Sequence, residues 1–165
     1  MGSGKSTAGL KLAQLLGRDF VDTDDAIAQT HNKSVDEIFK TEGEEQFRNY
    51  ETTLLKKLAN GENQIISTGG GIVLKDENLI YCRKMFVVYL QAAPEHILQN
   101  IQDDTSRPLL GGCEDKLARI KTLLESRREK YENFCDARFD VTNKTVDEII
   151  SGVVDIINAN INERV

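Results

Sequence analysis

The first residues that could do chemistry form a run of glycines and hydroxyls that leads directly into a helical pattern. Gly2-Ser3-Gly4-Lys5-Ser6 matches the last five positions of the phosphate-binding pattern G-x-x-x-x-G-K-[ST], and Thr7 follows. Glycines let backbone N–H groups turn toward phosphate oxygens at a helix N-terminus, whose dipole favours an anion. Lys5 could then reach the phosphates, and the Ser6 hydroxyl could ligate Mg²⁺. The run predicts a nucleotide site, with a Gly-Ser-rich tag as the alternative interpretation.

The pattern is incomplete at its start. Its first glycine would fall two positions before Met1, and the buried strand that normally feeds such a loop would lie further upstream. A sheet that lacks this strand exposes the edges of its neighbours. We therefore expect the sequence to be an N-terminally shortened copy in which Met1 lies inside the native loop.

Two carboxylates follow the first predicted strand. Asp22-Thr23-Asp24 lies at the carboxyl end of that strand, where open α/β sheets place their ligands. Asp22 could hold Mg²⁺ through its water shell, and Asp24 could accept the proton of an attacking hydroxyl. The alternative is an acidic turn that caps the next helix, a role that we assign to Asp25.

Basic and glycine-rich positions could serve a second substrate. Arg48 and Glu51 are three positions apart on one predicted helix and could share a face, although such pairs are usually surface salt bridges. Gly69-Gly70-Gly71 directly follows a strand, and consecutive glycines permit close backbone approach to a ligand. Arg107 lies in a polar, glycine-bearing segment at about 103–115 that we interpret as a lid, where it could neutralise charge on a transferring phosphoryl group.

Helical patterns must position these residues. The apolar positions Ala8, Leu12, Leu15 and Leu16 predict a first helix that ends at Gly17. Later helices are predicted from a capping box at Ser34, an apolar face between Phe47 and Leu58, a proline at Pro94, an apolar series that starts at Leu117, and an amphipathic tail from Val146.

Four strands alternate with these helices, at Phe20–Asp22, Gln64–Ser67, Met85–Leu90 and Arg138–Val141, and none precedes the first helix. Parallel strands need helical crossovers, so the alternation predicts a three-layer α/β/α fold with a parallel sheet between helices. A length of 165 residues predicts a single domain over 1–165.

Composition excludes several classes of protein. A net charge of −6 gives no electrostatic support for binding nucleic-acid backbone. No apolar run approaches the ~20 residues that span a bilayer, and no targeting segment is recognisable, so we expect a cytoplasmic protein. Three widely spaced cysteines suggest neither a disulfide framework nor a zinc site. No apolar stripe remains once the core is filled, which favours a monomer.

Together these motifs resemble the shikimate kinase family of small P-loop kinases, over nearly the whole chain and in order. The resemblance rests on the phosphate loop, Asp22-Thr23-Asp24, Phe47-Arg48-x-x-Glu51, Ser67-Thr68-Gly69-Gly70-Gly71, Arg107-Pro108-Leu109-Leu110, and Arg127 four positions before Tyr131. It implies transfer of the ATP γ-phosphoryl group to the 3-hydroxyl of shikimate, with Mg²⁺, on the route to chorismate and the aromatic amino acids.

The resemblance also implies roles for individual residues. The residues implied to bind ATP are Gly2, Ser3, Gly4, Lys5, Ser6, Thr7, Arg107 and, on the adenine side, Lys144. Those implied to hold Mg²⁺ are Ser6 and Asp22. Those implied to bind shikimate are Asp24, Arg48, Gly69, Gly70, Gly71 and Arg127. Lys5, Asp24 and Arg107 are the implied catalytic residues, and Glu51 orients Arg48.

Two points stay open at the sequence level. The family usually has a proline between the substrate arginine and the helix tyrosine, but this chain reads Arg127-Arg128-Glu129-Lys130-Tyr131, so Arg128 competes with Arg127. A sugar-acid kinase such as a gluconate kinase, or a nucleotide-binding module without catalysis, remains an alternative to shikimate phosphorylation.

Overall fold

The fold is seen in a computed structural model, which describes residues 2–101 and 115–163. The predicted lid, with Arg107, therefore lies outside the described residues except for Asp115. The helices are α1 (Lys5–Leu16), α2 (Thr23–His31), α3 (Val35–Thr41), α4 (Glu44–Leu58), α5 (Asn78–Cys82), α6 (Pro94–Asn100), α7 (Lys116–Phe134) and α8 (Val146–Glu163). The strands are β1 (Asp19–Asp22), β2 (Gln64–Ser67), β3 (Val88–Gln91) and β4 (Ala137–Asp140), and a 3₁₀ turn spans Ile72–Leu74.

All four predicted strands are present, and they pair in parallel. β1 pairs with β2 so that Asp22 lies opposite Ser67, and β3 pairs with β4 so that Val88 lies opposite Ala137. β3 begins later than its sequence pattern predicts, because the Met85 amide donates to the Cys82 carbonyl at 2.9 Å and closes α5 instead of extending the strand. The 3₁₀ turn and α5 had no sequence prediction.

A cavity of about 450 Å³ separates the two strand pairs. Both strands that face it, β2 and β3, line its walls, and it reaches from Asn63, before β2, to the glycines after that strand. Neighbouring strands in a sheet lie about 4.8 Å apart, and among residues 2–101 and 115–163 no strand bridges this gap.

Three apolar clusters surround the strands. The largest joins α1, α6, α8 and the first half of α7, the second joins α4, α5 and the end of α7, and the third joins α2, α3 and α4. In α1 the prediction is partly wrong, because Leu15 and Leu16 are 65% and 38% exposed while Ala13 is buried. The neighbouring elements cover the face of Ala8 and Leu12, and the last turn of the helix lies beyond that cover.

Parallel pairing places the carboxyl ends of the strands at common edges, so β1 and β2 deliver Asp22 and the glycine run to the same place. The predicted capping box is confirmed, since the Ser34 hydroxyl accepts from the Glu37 amide and the Glu37 carboxylate accepts from the Ser34 amide. None of the helices in the described ranges is long and apolar enough to cross a membrane.

Candidate active site

The predicted phosphate loop is a turn built on two left-handed glycines. Gly2 has φ +63° and Gly4 has φ +76°, values that other residues rarely adopt. A Cβ on Gly2 would also lie 2.9 Å from Ile101 Cγ2, so both backbone conformation and packing require glycine there. Gly4 caps α1 without a side-chain hydrogen bond, which leaves the first-turn N–H groups available to an anion.

The Ser6 hydroxyl lies among oxygen atoms from β1 and β2. It donates to Asp22 Oδ2 at 2.6 Å and lies 3.3 Å from Ser67 Oγ. A hydroxyl beside a carboxylate at the end of a phosphate loop is the kind of oxygen donor that Mg²⁺ prefers, with water and phosphate as its remaining ligands. The donor set therefore fits Mg²⁺, although no group of three or more His, Cys, Asp or Glu side chains at metal-binding distance occurs in the part of the chain that the structure covers.

Asp22 also caps α2, a role that the sequence had predicted for Asp25. Its Oδ1 accepts from the Asp24 amide at 3.0 Å, which makes Asp22 the N-cap of α2. Asp25 is exposed within the first turn and is not the cap. α2 begins at Thr23, which is fully buried, so its N-cap lies three residues ahead of Asp25.

Gly69, Gly70 and Gly71 form a turn after β2, called the glycine turn below. Asp24 of α2 and Glu51 of α4 approach this turn from two different helices. A Cβ on Gly69 would lie 2.7 Å from Asp24 Oδ1 and 2.8 Å from Glu51 Oε1. The Gly69 amide donates to Thr23 Oγ1 at 3.0 Å, which fastens the turn to α2. Two carboxylates thus face one backbone position, where either could accept a proton from a bound hydroxyl.

Arg48 is not a surface residue, since it is only 7% exposed. Its Nη1 donates to Glu51 Oε2 at 2.6 Å and its Nη2 donates to Glu44 Oε1 at 2.8 Å. Burial opposes the charge, but the two carboxylates outweigh it and raise the pKa of Arg48, so the guanidinium stays positive. A Cβ on Gly71 would collide with this guanidinium, which explains the last glycine of the run.

Glu51 is completely buried. Burial raises its pKa to about 7, with a further contribution from Asp24, and the nearby Arg48 and Arg127 charges lower it only in part. Its Oε1 accepts no hydrogen bond from any described residue. This oxygen is a candidate acceptor for a substrate hydroxyl, a role that no local pattern in the sequence signals.

The structure separates the two competing arginines on α7. Arg127 Nη1 donates to the Gly70 carbonyl at 3.3 Å, while Arg128 is exposed and pairs with Glu125. Arg127 therefore lies on the site side of the helix, together with Tyr131, whose hydroxyl donates to the same carbonyl at 2.7 Å. Sequence reasoning placed Tyr131 in the family motif without a role.

Among the other predicted site residues, Lys5 lies in the first turn of α1 and lines one end of the cavity. Lys144 follows β4 and lies over the Phe139 ring, 5.8 Å from its centroid. Thr7 is exposed on α1. Arg107 cannot be placed relative to them, because it lies outside the described residues.

Comparison with known proteins decides the family. A sequence model described as shikimate kinase matches residues 1–158. The chain belongs to the shikimate kinase family. The shikimate kinase of Caldanaerobacter subterraneus subsp. tengcongensis is 42% identical to it over 155 residues, which cover 93% of this chain and 90% of that protein.

Solved structures agree with the family and confirm the predicted α/β P-loop kinase fold. Shikimate kinase from Acinetobacter baumannii, in complex with shikimate, matches with a TM-score of 0.93 and 32% identity, covering 97% of this chain and 89% of that one. A gluconokinase from Sinorhizobium meliloti matches with a TM-score of 0.60 and 16% identity, covering 99% and 92%. The second likeness reflects the shared fold alone.

Proposed function

We propose that this chain transfers the γ-phosphoryl group of ATP to the 3-hydroxyl of shikimate, giving shikimate 3-phosphate on the route to chorismate and the aromatic amino acids. The observation that carries the proposal is the glycine turn. It brings one buried arginine, a second arginine and two carboxylates together beside a phosphate loop. A substrate with a carboxylate and several hydroxyls matches that set of charges and donors.

Arg48 and Arg127 would hold the shikimate carboxylate, because a planar guanidinium matches a planar carboxylate in size and charge. The backbone of Gly69, Gly70 and Gly71 would contact the same substrate at close range. Asp24 would bind the substrate hydroxyls and accept the proton of the 3-hydroxyl as the phosphorus–oxygen bond forms. Glu51 orients Arg48 through their 2.6 Å ion pair.

The phosphates would lie on the N–H groups of Gly2, Ser3 and Gly4 and on the first turn of α1, with Lys5 as a point charge. Ser6 and Asp22 would hold Mg²⁺, which when bound neutralises charge on the ATP phosphates. Arg107 and Lys144 are proposed for the transferring group and the adenine side. In-line transfer of this kind needs positioning and charge stabilisation more than covalent chemistry.

We propose that the chain acts as a monomer, because its sequence leaves no apolar stripe once the core is filled. The reaction is assigned to the cytoplasm, where ATP and Mg²⁺ are available together.

An assay of ADP release with shikimate, with gluconate and with no acceptor tests the function. ADP release is expected to require shikimate. Release that requires gluconate instead, or that is equally fast without any acceptor, would refute the proposal. Asp24→Asn should lower kcat by about a hundredfold or more while leaving ATP binding intact, as removal of a general base does. Asp25→Asn is the matched control, because Asp25 lies in the same helical turn but is exposed.

A further inference from the structure

The Gly70 carbonyl receives two donors from one face of α7. Tyr131 Oη donates to it at 2.7 Å, and Arg127 Nη1 donates to it at 3.3 Å. The two donors are four positions apart, which places them on the same side of the helix. A carbonyl oxygen has two lone pairs and can accept both, but the tyrosine bond is much the shorter.

Tyr131 is held in place by packing. Its ring stacks on Tyr89, with centroids 4.9 Å apart and planes 19° from parallel. It also packs against the apolar cluster that contains Leu55 and Phe134. The hydroxyl is therefore fixed at the Gly70 carbonyl before any substrate arrives.

Arg127 has a different position. Its side chain is only partly buried, and its 3.3 Å hydrogen bond to Gly70 is longer than usual for an N–H donor and a carbonyl acceptor. A long side chain held by a 3.3 Å hydrogen bond can turn to a new partner at small cost. The carbonyl that it leaves is part-buried, and a donor that stays on it lowers the cost of the move.

We propose that Tyr131 is a positioning residue for Arg127. Its hydroxyl holds the Gly70 carbonyl, so that Arg127 can move to the substrate carboxylate without leaving that carbonyl unpaired. The inference rests on the proposed function, in which Arg127 binds shikimate. It assigns to Tyr131 an effect on shikimate affinity that is transmitted through Arg127 and that leaves the nucleotide side untouched.

Four variants test this role by steady-state ADP release at varied shikimate and varied ATP. Tyr131→Phe keeps the ring and its stacking but removes the donor, and its KM for shikimate should rise roughly fivefold to tenfold, as the loss of one such hydrogen bond implies. Its kcat and its KM for ATP should stay close to those of the wild type. Tyr81→Phe is the matched control, since Tyr81 packs against the same cluster and its hydroxyl makes no hydrogen bond within the described chain.

The decisive comparison uses Arg127→Ala and the double variant Arg127→Ala/Tyr131→Phe. In the Arg127→Ala background there is no guanidinium for Tyr131 to position. Adding Tyr131→Phe there should raise the KM for shikimate by no more than about twofold. An equal increase in both backgrounds would show that Tyr131 supports only the fold and would overturn the inference. An unchanged KM in Tyr131→Phe alone would overturn it as well.

The wild type in the same experiment tests the proposed function separately, through its shikimate-dependent ADP release. If the wild type releases ADP with shikimate but the variants do not follow the pattern, only the role of Tyr131 is wrong. If the wild type shows no shikimate-dependent release, the proposed function and the inference that rests on it both fail.

Discussion

At the scale of single residues, burial decides how the two carboxylates beside Gly69 behave. Asp24 is half-buried at the start of α2, whereas Glu51 is completely enclosed. Burial disfavours the charged form of Glu51 strongly enough that its pKa rises to about 7 despite the adjacent Arg48. Near neutral pH the charge that orients Arg48 therefore depends on pH.

This raised pKa predicts a pH-dependent contribution to stability. The unfolded chain releases the Glu51 proton near its ordinary value of 4.5, but the folded chain keeps it until about 7. Protonation of Glu51 therefore contributes up to about 3 kcal/mol to the free energy of unfolding. This contribution is fully present below pH 4.5 and is lost as the pH rises through about 7.

Thermal unfolding of the wild type and of Glu51→Gln checks the prediction. The midpoint of the wild type should fall relative to that of the variant between about pH 5 and about pH 8, because glutamine does not titrate. Glu62→Gln changes an exposed glutamate and should follow the wild type across the range. A constant difference between the wild type and Glu51→Gln would show that the carboxylate is ionised throughout.

At the scale of elements, the glycine turn between β2 and the 3₁₀ turn connects three helices. The Gly69 amide donates a hydrogen bond to Thr23 of α2, and the Gly70 carbonyl accepts one from Tyr131 of α7. The missing side chain of Gly71 leaves space for Arg48 of α4. Each glycine thus has a separate contact. The turn acts as a shared base for residues that come from distant parts of the sequence.

The variant Gly71→Ala tests this arrangement. Gly71 has an ordinary φ of −94°, so alanine causes no backbone strain there, but the new Cβ would displace the Arg48 guanidinium. We expect the KM for shikimate to rise about tenfold with the KM for ATP unchanged, which corresponds to about 1.4 kcal/mol of lost binding.

Gly17→Ala serves as the opposite control. Gly17 ends α1 with φ +62° and has open space around its Cβ position, so alanine should lower stability there without changing either KM. Equal shikimate KM values for Gly71→Ala and the wild type would contradict the role assigned to the glycine.

At the scale of the whole molecule, the main feature is the gap between the strand pairs. The cavity follows β2 along its length and is lined mainly by apolar side chains such as Leu12, Ile65 and Leu90. The end of the cavity near the carboxyl ends of the strands is lined by Ser3, in the phosphate loop. A strand placed there would complete a parallel sheet and would fix the loop on its open side.

An added strand should therefore stabilise the molecule. Joining about six alternating β-branched and apolar residues ahead of Gly2 is expected to raise the thermal midpoint by about 5 °C or more. Amides of β2 and β3 should also exchange more slowly with deuterium. A Gly-Ser segment of the same length is the control, and an equal effect of the two extensions would show that the cavity does not accept a strand.

Local chemistry explains what the sequence predicted by itself. The glycine pattern of the phosphate loop, the alternation of four strands with helices, the Ser34 capping box and the helix start at Pro94 depend on residues close together in the chain. Such signals survive in any tertiary context that permits the element. They were sufficient for the fold class, whereas the family resemblance also needed the ordered motifs from Asp22-Thr23-Asp24 to Arg127.

Only the tertiary structure decided which of these residues act together. The position of Arg127 rather than Arg128 beside Gly70, the contact of Tyr131 with the same residue and the burial of Glu51 all depend on packing across the molecule. Arg127 and Tyr131 reach Gly70 over 57 and 61 positions. The sequence pattern of one helix cannot show which face a distant turn will cover. Charge, burial and pKa at the site follow from that packing, because the free energy of a charged group depends on its surroundings in space.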